Sequence, residues 1–154
     1  MANRREASGQ RIVVGVDGSD SSKAALSWAV RQAELTGASV EAVIAWHYPV
    51  MLSGYAWVPV SAVEDSDFES ISARTLSDAI AATADPGSRV KISTTVREGN
   101  AAQVLVDAAD GADLLVVGSR GHGGFAGALL GSVSQHCAHH APCPIVIIRD
   151  ASTH

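Results

Sequence analysis

The chain is short of aromatic residues, cysteine, lysine and basic charge, and each shortage excludes something. Phe, Trp and Tyr make up 5% of the 154 residues, so a 47% hydrophobic composition must build its core from Ala, Val, Leu and Ile. The formal net charge is −5. With no basic surplus to neutralise a phosphate backbone, nucleic acid is excluded as a partner. Any anion site must rest on local N–H groups rather than on the overall field. Cys137 and Cys143 are the only cysteines, and their spacing fits neither a redox C-x-x-C nor a zinc pair. They read as reduced, mostly buried thiols. No segment is long and apolar enough to cross a bilayer. Arg4 and Arg5 are followed by no apolar run of the kind a secretory signal needs, so a cytoplasmic protein is expected. There is no G-x-x-x-x-G-K-[ST] and no G-x-S-x-G, which removes P-loop enzymes and nucleophile-elbow hydrolases. No internal repeat or low-complexity tract breaks the chain. Its length suits one domain, expected over 11–150 behind a polar tail, 1–10, read as disordered.

Apolar strands and amphipathic helices alternate along that domain. Arg11–Asp17 reads as a strand through Ile12, Val13, Val14 and Val16. Ser19–Ser22 supplies capping residues for a helix to about Thr36, with Ala25, Ala29 and Ala33 on one face, Leu26 and Val30 widening it, and Gly37 as its stop. Val40–Trp46 is a second strand, followed by a long irregular stretch to Asp65. A helix over about Ser66–Ala84 carries Phe68, Ile71, Leu76 and Ile80, and Asp85-Pro86-Gly87 turns the chain. Val90, Ile92, Thr94 and Val96 alternate with Lys91, Ser93 and Thr95, the period of a half-exposed edge strand. Asn100 caps a third helix ending at Gly111. Asp113–Gly118, Ser132–His140 and Pro144–Arg149 complete the series as strand, helix, strand. Strict β-α alternation implies an α/β fold, a doubly wound parallel sheet of five strands with helices on both faces and right-handed crossovers.

Residues 114–133 carry the most information. Leu114-Leu115-Val116-Val117 is a buried strand; a glycine-crowded loop follows, and Gly131-Ser132 opens a helix. Glycine lets backbone approach a ligand closely. A helix start offers unpaired N–H groups and the positive end of a dipole, together a site for anions such as nucleotide phosphates. The spacing is Gly118, two residues, Gly121, nine residues, then Gly131-Ser132. It resembles the nucleotide-binding signature of the universal stress protein family. The resemblance runs from Val13-Val14-Gly15-Val16-Asp17-Gly18-Ser19 to Pro142-Cys143-Pro144-Ile145-Val146-Ile147-Ile148.

That resemblance implies the strand order 3-2-1-4-5, in which the chain reverses between strands 1 and 4. Ligands bind open α/β sheets at such a point, outside the carboxyl ends of the strands. Asp17 ends strand 1 and Gly118 ends strand 4, so two separate cues meet at one place. Asp17 suits a sugar hydroxyl, an adenine amine or a divalent metal reached through water; its competing role is turn chemistry with Gly18-Ser19. Gly118 and Gly121 would let the chain wrap phosphates, while Gly131, Ser132 and Val133 would supply donors. Ala45 matches the family position whose backbone reads the adenine edge, and Gly15 would lie against the base for want of bulk. Arg120 and His122 could offset phosphate charge, though the signature requires neither. Gly121–Ala126 also fits G-x-G-x-x-A, a weak match after the wrong strand. His136, His139 and His140 have metal-binding spacing, but they occupy a helix's last turn, where the dipole favours histidine. No metal site is assigned to them, and no catalytic residue is identified.

The resemblance implies an ATP-binding regulatory module of the stress response, with at most slow hydrolysis, holding ATP with Mg or Mn. The competing class is a nucleotide-dependent enzyme of related α/β fold with an unrecognised catalytic site. A response-regulator-like switch needs a lysine after strand 5, and the chain's only lysines are Lys23 and Lys91. In the implied order strand 5 is a sheet edge whose residues Ile145, Val146, Ile147 and Ile148 are all apolar. An exposed edge of that kind must be covered or paired. A two-fold homodimer through strand 5 is the simplest solution, and the resemblance implies the same.

Overall fold

A computed structural model describes residues 9–47, 65–83, 85, 87–120 and 130–149. The elements are β1 (Arg11–Gly15), α1 (Asp20–Thr36), β2 (Ser39–Trp46), α2 (Asp65–Thr83), β3 (Ile92–Glu98), α3 (Ala101–Ala108), β4 (Leu114–Gly118), α4 (Ser132–His140) and β5 (Ile145–Ile148). All pairings are parallel and the sheet order is β3-β2-β1-β4-β5, the order that the resemblance implies.

Alternate residues of the central strands feed two cores. Ile12 and Val14 of β1, Val40 and Ala42 of β2 and Val116 of β4 pack under α1 and α2. Val13, Val43, Leu115 and Val117 pack under α3 and α4 with Leu105 and Cys137. Burial on both faces explains why these strands read as continuous apolar runs. The small Ala25-Ala29-Ala33 stripe lies on the sheet completely buried or nearly so. Ser19 caps α1 by accepting the Ser22 N–H, and Gly37 ends it at φ 78°, donating to the Ala33 carbonyl.

The edge position of β3 agrees with its alternating sequence: Ile92 and Val96 pack against the first core, while Ser93 and Glu98 are exposed. Several expectations are corrected. β1 ends at Gly15, two residues early, although the Val16 N–H still bonds the Val43 carbonyl at 2.8 Å. α3 ends at Ala108 and turns through Gly111 at φ 77°. Ile71 does not join the core. It is 64% exposed, because Leu76 and Ala79, at 1% and 0%, define the face that α2 turns inward. Residues 1–8 of the expected tail and 48–64 of the long loop lie outside the described residues. Gln10 is within them and accepts the Ser39 N–H at 2.9 Å.

Candidate functional site

A cleft of about 280 Å³ opens at the carboxyl ends of β1, β2 and β4. Gly15, Asp17, Ala45, Gly118, Gly131, Ser132 and Val133 all line it. Gly121 lies outside the described residues, as do His122 and the rest of 121–129.

The β1 side is a knitted turn. Gly18 takes φ 85°, which carries the chain from the strand into α1. Asp17 Oδ1 accepts the Ser19 N–H at 2.9 Å and also the Ser19 hydroxyl. Ser22 Oγ accepts the Asp17 N–H at 3.2 Å and donates to the Ser19 carbonyl at 3.0 Å. The turn chemistry weighed for Asp17 is therefore present, and it holds the carboxyl group at the cleft rim.

The β4 side is built around Ser119. Its N–H continues the sheet to the Ile148 carbonyl at 2.8 Å. Its carbonyl accepts the Gly131 N–H at 2.7 Å and the buried Ser134 hydroxyl at 3.1 Å. One peptide group thus fixes where α4 begins. Gly118 is constrained from the other direction. A Cβ there would collide with Ser21 Oγ and come within 2.7 and 2.9 Å of the Ser21 carbonyl carbon and oxygen. The missing side chain of Gly118 is what lets α1 start close against β4.

Three helix starts border the cleft. α1 and α3 are capped by their own side chains, Ser19 and Asn100. α4 begins at Gly131, which has no side chain to offer, and among the described residues no side-chain bond caps it. The first-turn N–H groups of α4 lack partners within the helix, by the geometry of any helix start. The opposite wall is apolar: Val43 and Ala45 from β2, Ala101 and Leu105 from α3. A Cβ on Gly15 would lie 2.7 Å from Leu105 Cδ1, so the space above this glycine belongs to Leu105.

Among the described lining residues, Asp17 and Arg120 are the ionisable ones. The Arg120 N–H donates to Ser21 Oγ at 3.4 Å. Sequence reading did not single out Leu105, Ser119 or Ser134. Ser134 sits at the third position of a helix opened by glycine, where a hydroxyl can serve the preceding turn. Leu105 carries no local sign of a site, since its role follows from where α3 crosses β1.

The histidines stand apart from the cleft's lining. The His136 and His140 rings are 4.4 Å apart, and His139 and His140 6.4 Å. Among the described residues no group of three or more His, Cys, Asp or Glu side chains is arranged to hold a metal ion. Cys137 is buried and burial pushes its thiol up to about 11; Cys143 is half-buried and raised by burial as well. Among the described residues no helix is long and apolar enough to cross a membrane.

Residues 9–149 match the model of the Universal stress protein family. Universal stress protein Rv2624c of Mycobacterium tuberculosis is 33% identical over 150 residues, 97% of this chain and 52% of that protein. The chain thus spans about half the length of the curated relatives it matches. Among solved structures, the universal stress protein UspA of Lactobacillus plantarum aligns with a TM-score of 0.71 at 27% identity, covering 91% of this chain and 97% of that one. A universal stress protein crystallised in complex with cAMP aligns at 0.61 with 32% identity, covering 90% and 95%.

Proposed function

The chain belongs to the universal stress protein family, and from that premise we propose that it binds ATP in the cleft between β1 and β4 and acts as a regulatory module. The observation that carries this reading is the pairing of two unlike walls. One is apolar and fits a base. The other ends at the start of α4, where glycine leaves the first-turn donors without a side-chain cap, and a helix start of this kind favours a phosphate group. The relative crystallised with cAMP supports an adenine nucleotide as the class. ATP rather than a monophosphate is favoured by the sequence spacing alone, Gly118, two residues, Gly121, nine residues, then Gly131-Ser132.

Asp17 stands at the rim, where a carboxylate fits a ribose hydroxyl or a Mg or Mn ion that accompanies the triphosphate. Such an ion would supply charge neutralisation. The protein's own part is to hold Asp17 in place through Ser19 and Ser22. Among the described residues the cleft offers no general base beyond Asp17, so turnover is expected to be slow and binding to be the function. The bound nucleotide then biases conformation or partner choice. The half-buried, wholly apolar β5, Ile145–Ile148, supports a two-fold homodimer through that edge.

Mass spectrometry of nucleotide released from freshly purified protein, followed by calorimetric titration, tests the reading. ATP in the released fraction and saturable binding are expected. No retained nucleotide together with no heat of binding would overturn it. In sedimentation analysis the dimer is expected at micromolar concentration, and a monomer there defeats the β5 interface.

A further inference from the structure

We propose that Leu105 is the specificity-determining residue of the cleft: it sets how deep the apolar end is, and therefore how large a base fits. The proposal rests on the nucleotide reading above and names what selects within it.

Leu105 belongs to α3, which starts at the Asn100 cap directly after β3. It is 6% exposed and lines the cleft beside Gly15, Val43, Ala45 and Ala101. Ala45 and Ala101 are too short to reach across the space. Val43 is 1% exposed and paired in the sheet with Gly15. Among the described residues at this end Leu105 is the longest apolar side chain, and its terminal carbons are the part with rotational freedom. Its seat is the space over Gly15. A Cβ on Gly15 would lie 2.7 Å from Leu105 Cδ1, 3.2 Å from Cδ2 and 3.5 Å from Cγ. The glycine and the leucine are thus one device. The glycine gives the leucine room against β1, and the leucine's depth in that seat leaves the cleft open.

Two changes follow with opposite sign. A methyl group on Gly15 adds bulk to the lining and lifts Leu105 from its seat, which shortens the space. Shortening Leu105 lengthens the space and admits a larger base. A methylene in an apolar pocket is worth on the order of tenfold in discrimination.

The test compares ATP with N6-benzyl-ATP by calorimetry in the parent and in Leu105→Val, Leu105→Ala, Gly15→Ala and the Gly15→Ala/Leu105→Ala double variant, each checked for folding by circular dichroism. The parent is expected to prefer ATP. Leu105→Ala should shift the ratio of the two affinities by about tenfold towards the benzyl analogue, and Leu105→Val by about threefold. Gly15→Ala should weaken ATP binding by about tenfold, and the double variant should recover most of that loss. Where Leu105→Ala does not fold, Leu105→Val decides. A ratio within about twofold of the parent in the folded Leu105 variants overturns the role of Leu105 while leaving ATP binding intact. A parent that binds neither nucleotide overturns the nucleotide reading and this proposal with it.

Discussion

The two ends of the sheet are built on opposite plans. At the amino end, Arg11 closes a network. Its backbone N–H donates to Asp113 Oδ2 at 2.8 Å, and its guanidinium donates to Glu41 Oε1 at 3.1 Å, to the Ala108 carbonyl at 3.1 Å and to the Asp110 carbonyl at 2.8 Å. One side chain thereby ties β1 to β2 and also satisfies the last carbonyl of α3, at Ala108, and that of Asp110 in the turn after it. At the carboxyl end the same strands finish at Gly15 and Gly118 beside a helix opened by Gly131, whose N-cap position makes no side-chain cap bond among the described residues. An end that answers its own polar groups contributes stability; an end that leaves helix-start donors to solvent is the one at which nucleotide binding is proposed. The contrast teaches where substitutions should register, on melting at one end and on binding at the other.

Gly118 breaks that simple division most sharply. It belongs to the open end, yet a Cβ there would strike the backbone of Ser21 as well as its hydroxyl. Backbone cannot step aside as a flexible side chain can. Gly118→Ala is therefore expected to cost about 3 kcal/mol and to lower the melting temperature of the ligand-free protein by about 6–12 °C. Thermal unfolding checks this. An unchanged melting temperature with lost ATP binding would return Gly118 to a purely ligand-contacting role.

The two thiols divide along the same line. Cys143 is raised first by burial, with Arg11 pulling it back and Asp113 adding to the rise, so it is part of the closed end's electrostatics. Cys137, on the helix whose start faces the cleft, is raised from 9.0 to about 11 by burial alone. The folded protein therefore keeps this proton when the unfolded chain has lost it. Stability from this source is fully present below pH 9 and declines as the pH rises towards 11. The parent should lose up to about 2 kcal/mol more than Cys137→Ala across that window in urea unfolding. Parallel curves for the two proteins would remove Cys137 as a titrating core group.

Much of this was legible in sequence, and the boundary has a physical basis. Buried parallel strands announce themselves as Ile12-Val13-Val14 and Leu114–Val117 do, because both faces are covered. Helix ends were readable where one residue sets them, as at Ser19, Gly37 and Asn100. Residues brought to the cleft by chain reversal were legible through the glycine spacing. What stayed hidden depends on distances between elements. Gly118 meets Ser21, 97 residues away, and Gly15 meets Leu105 across a crossover, so the packing role of each glycine, beside its place in the cleft lining, shows only once the helices are in place. The exposure of Ile71 was not legible either, because a helix of many small residues leaves its inward face undecided by periodicity, and Leu76 with Ala79 settles it.

A smaller effect is expected at the closed end. Arg11→Met keeps the apolar stem and removes the guanidinium. The side chain is 33% exposed, so its bonds are partly replaced by water. A loss of about 1–2 kcal/mol is expected, with ATP affinity within about twofold of the parent. Urea unfolding and calorimetry read the two quantities separately. A tenfold loss of affinity in a folded Arg11→Met protein would mean that the two ends are coupled through the sheet and that the division drawn above is wrong.

The finest test lies at Asp17, where both plans meet in one side chain. Its Oδ1 holds the Ser19 N–H and hydroxyl, which sets the cap of α1, and its carboxyl group also lines the cleft. Asp17→Ala removes both roles at once and is expected to cost about 1 kcal/mol in stability as well as affinity. Asp17→Asn separates them. The amide oxygen can still accept from Ser19, so the melting temperature should fall by no more than about 2 °C. The charge is gone, so affinity for ATP in the presence of Mg should drop by about threefold to tenfold, and the drop should shrink when Mg is withheld. Asn that binds Mg-ATP as tightly as Asp would assign this carboxylate to the turn alone. Asn that melts as early as Ala would mean that the charge, not the acceptor geometry, holds the turn.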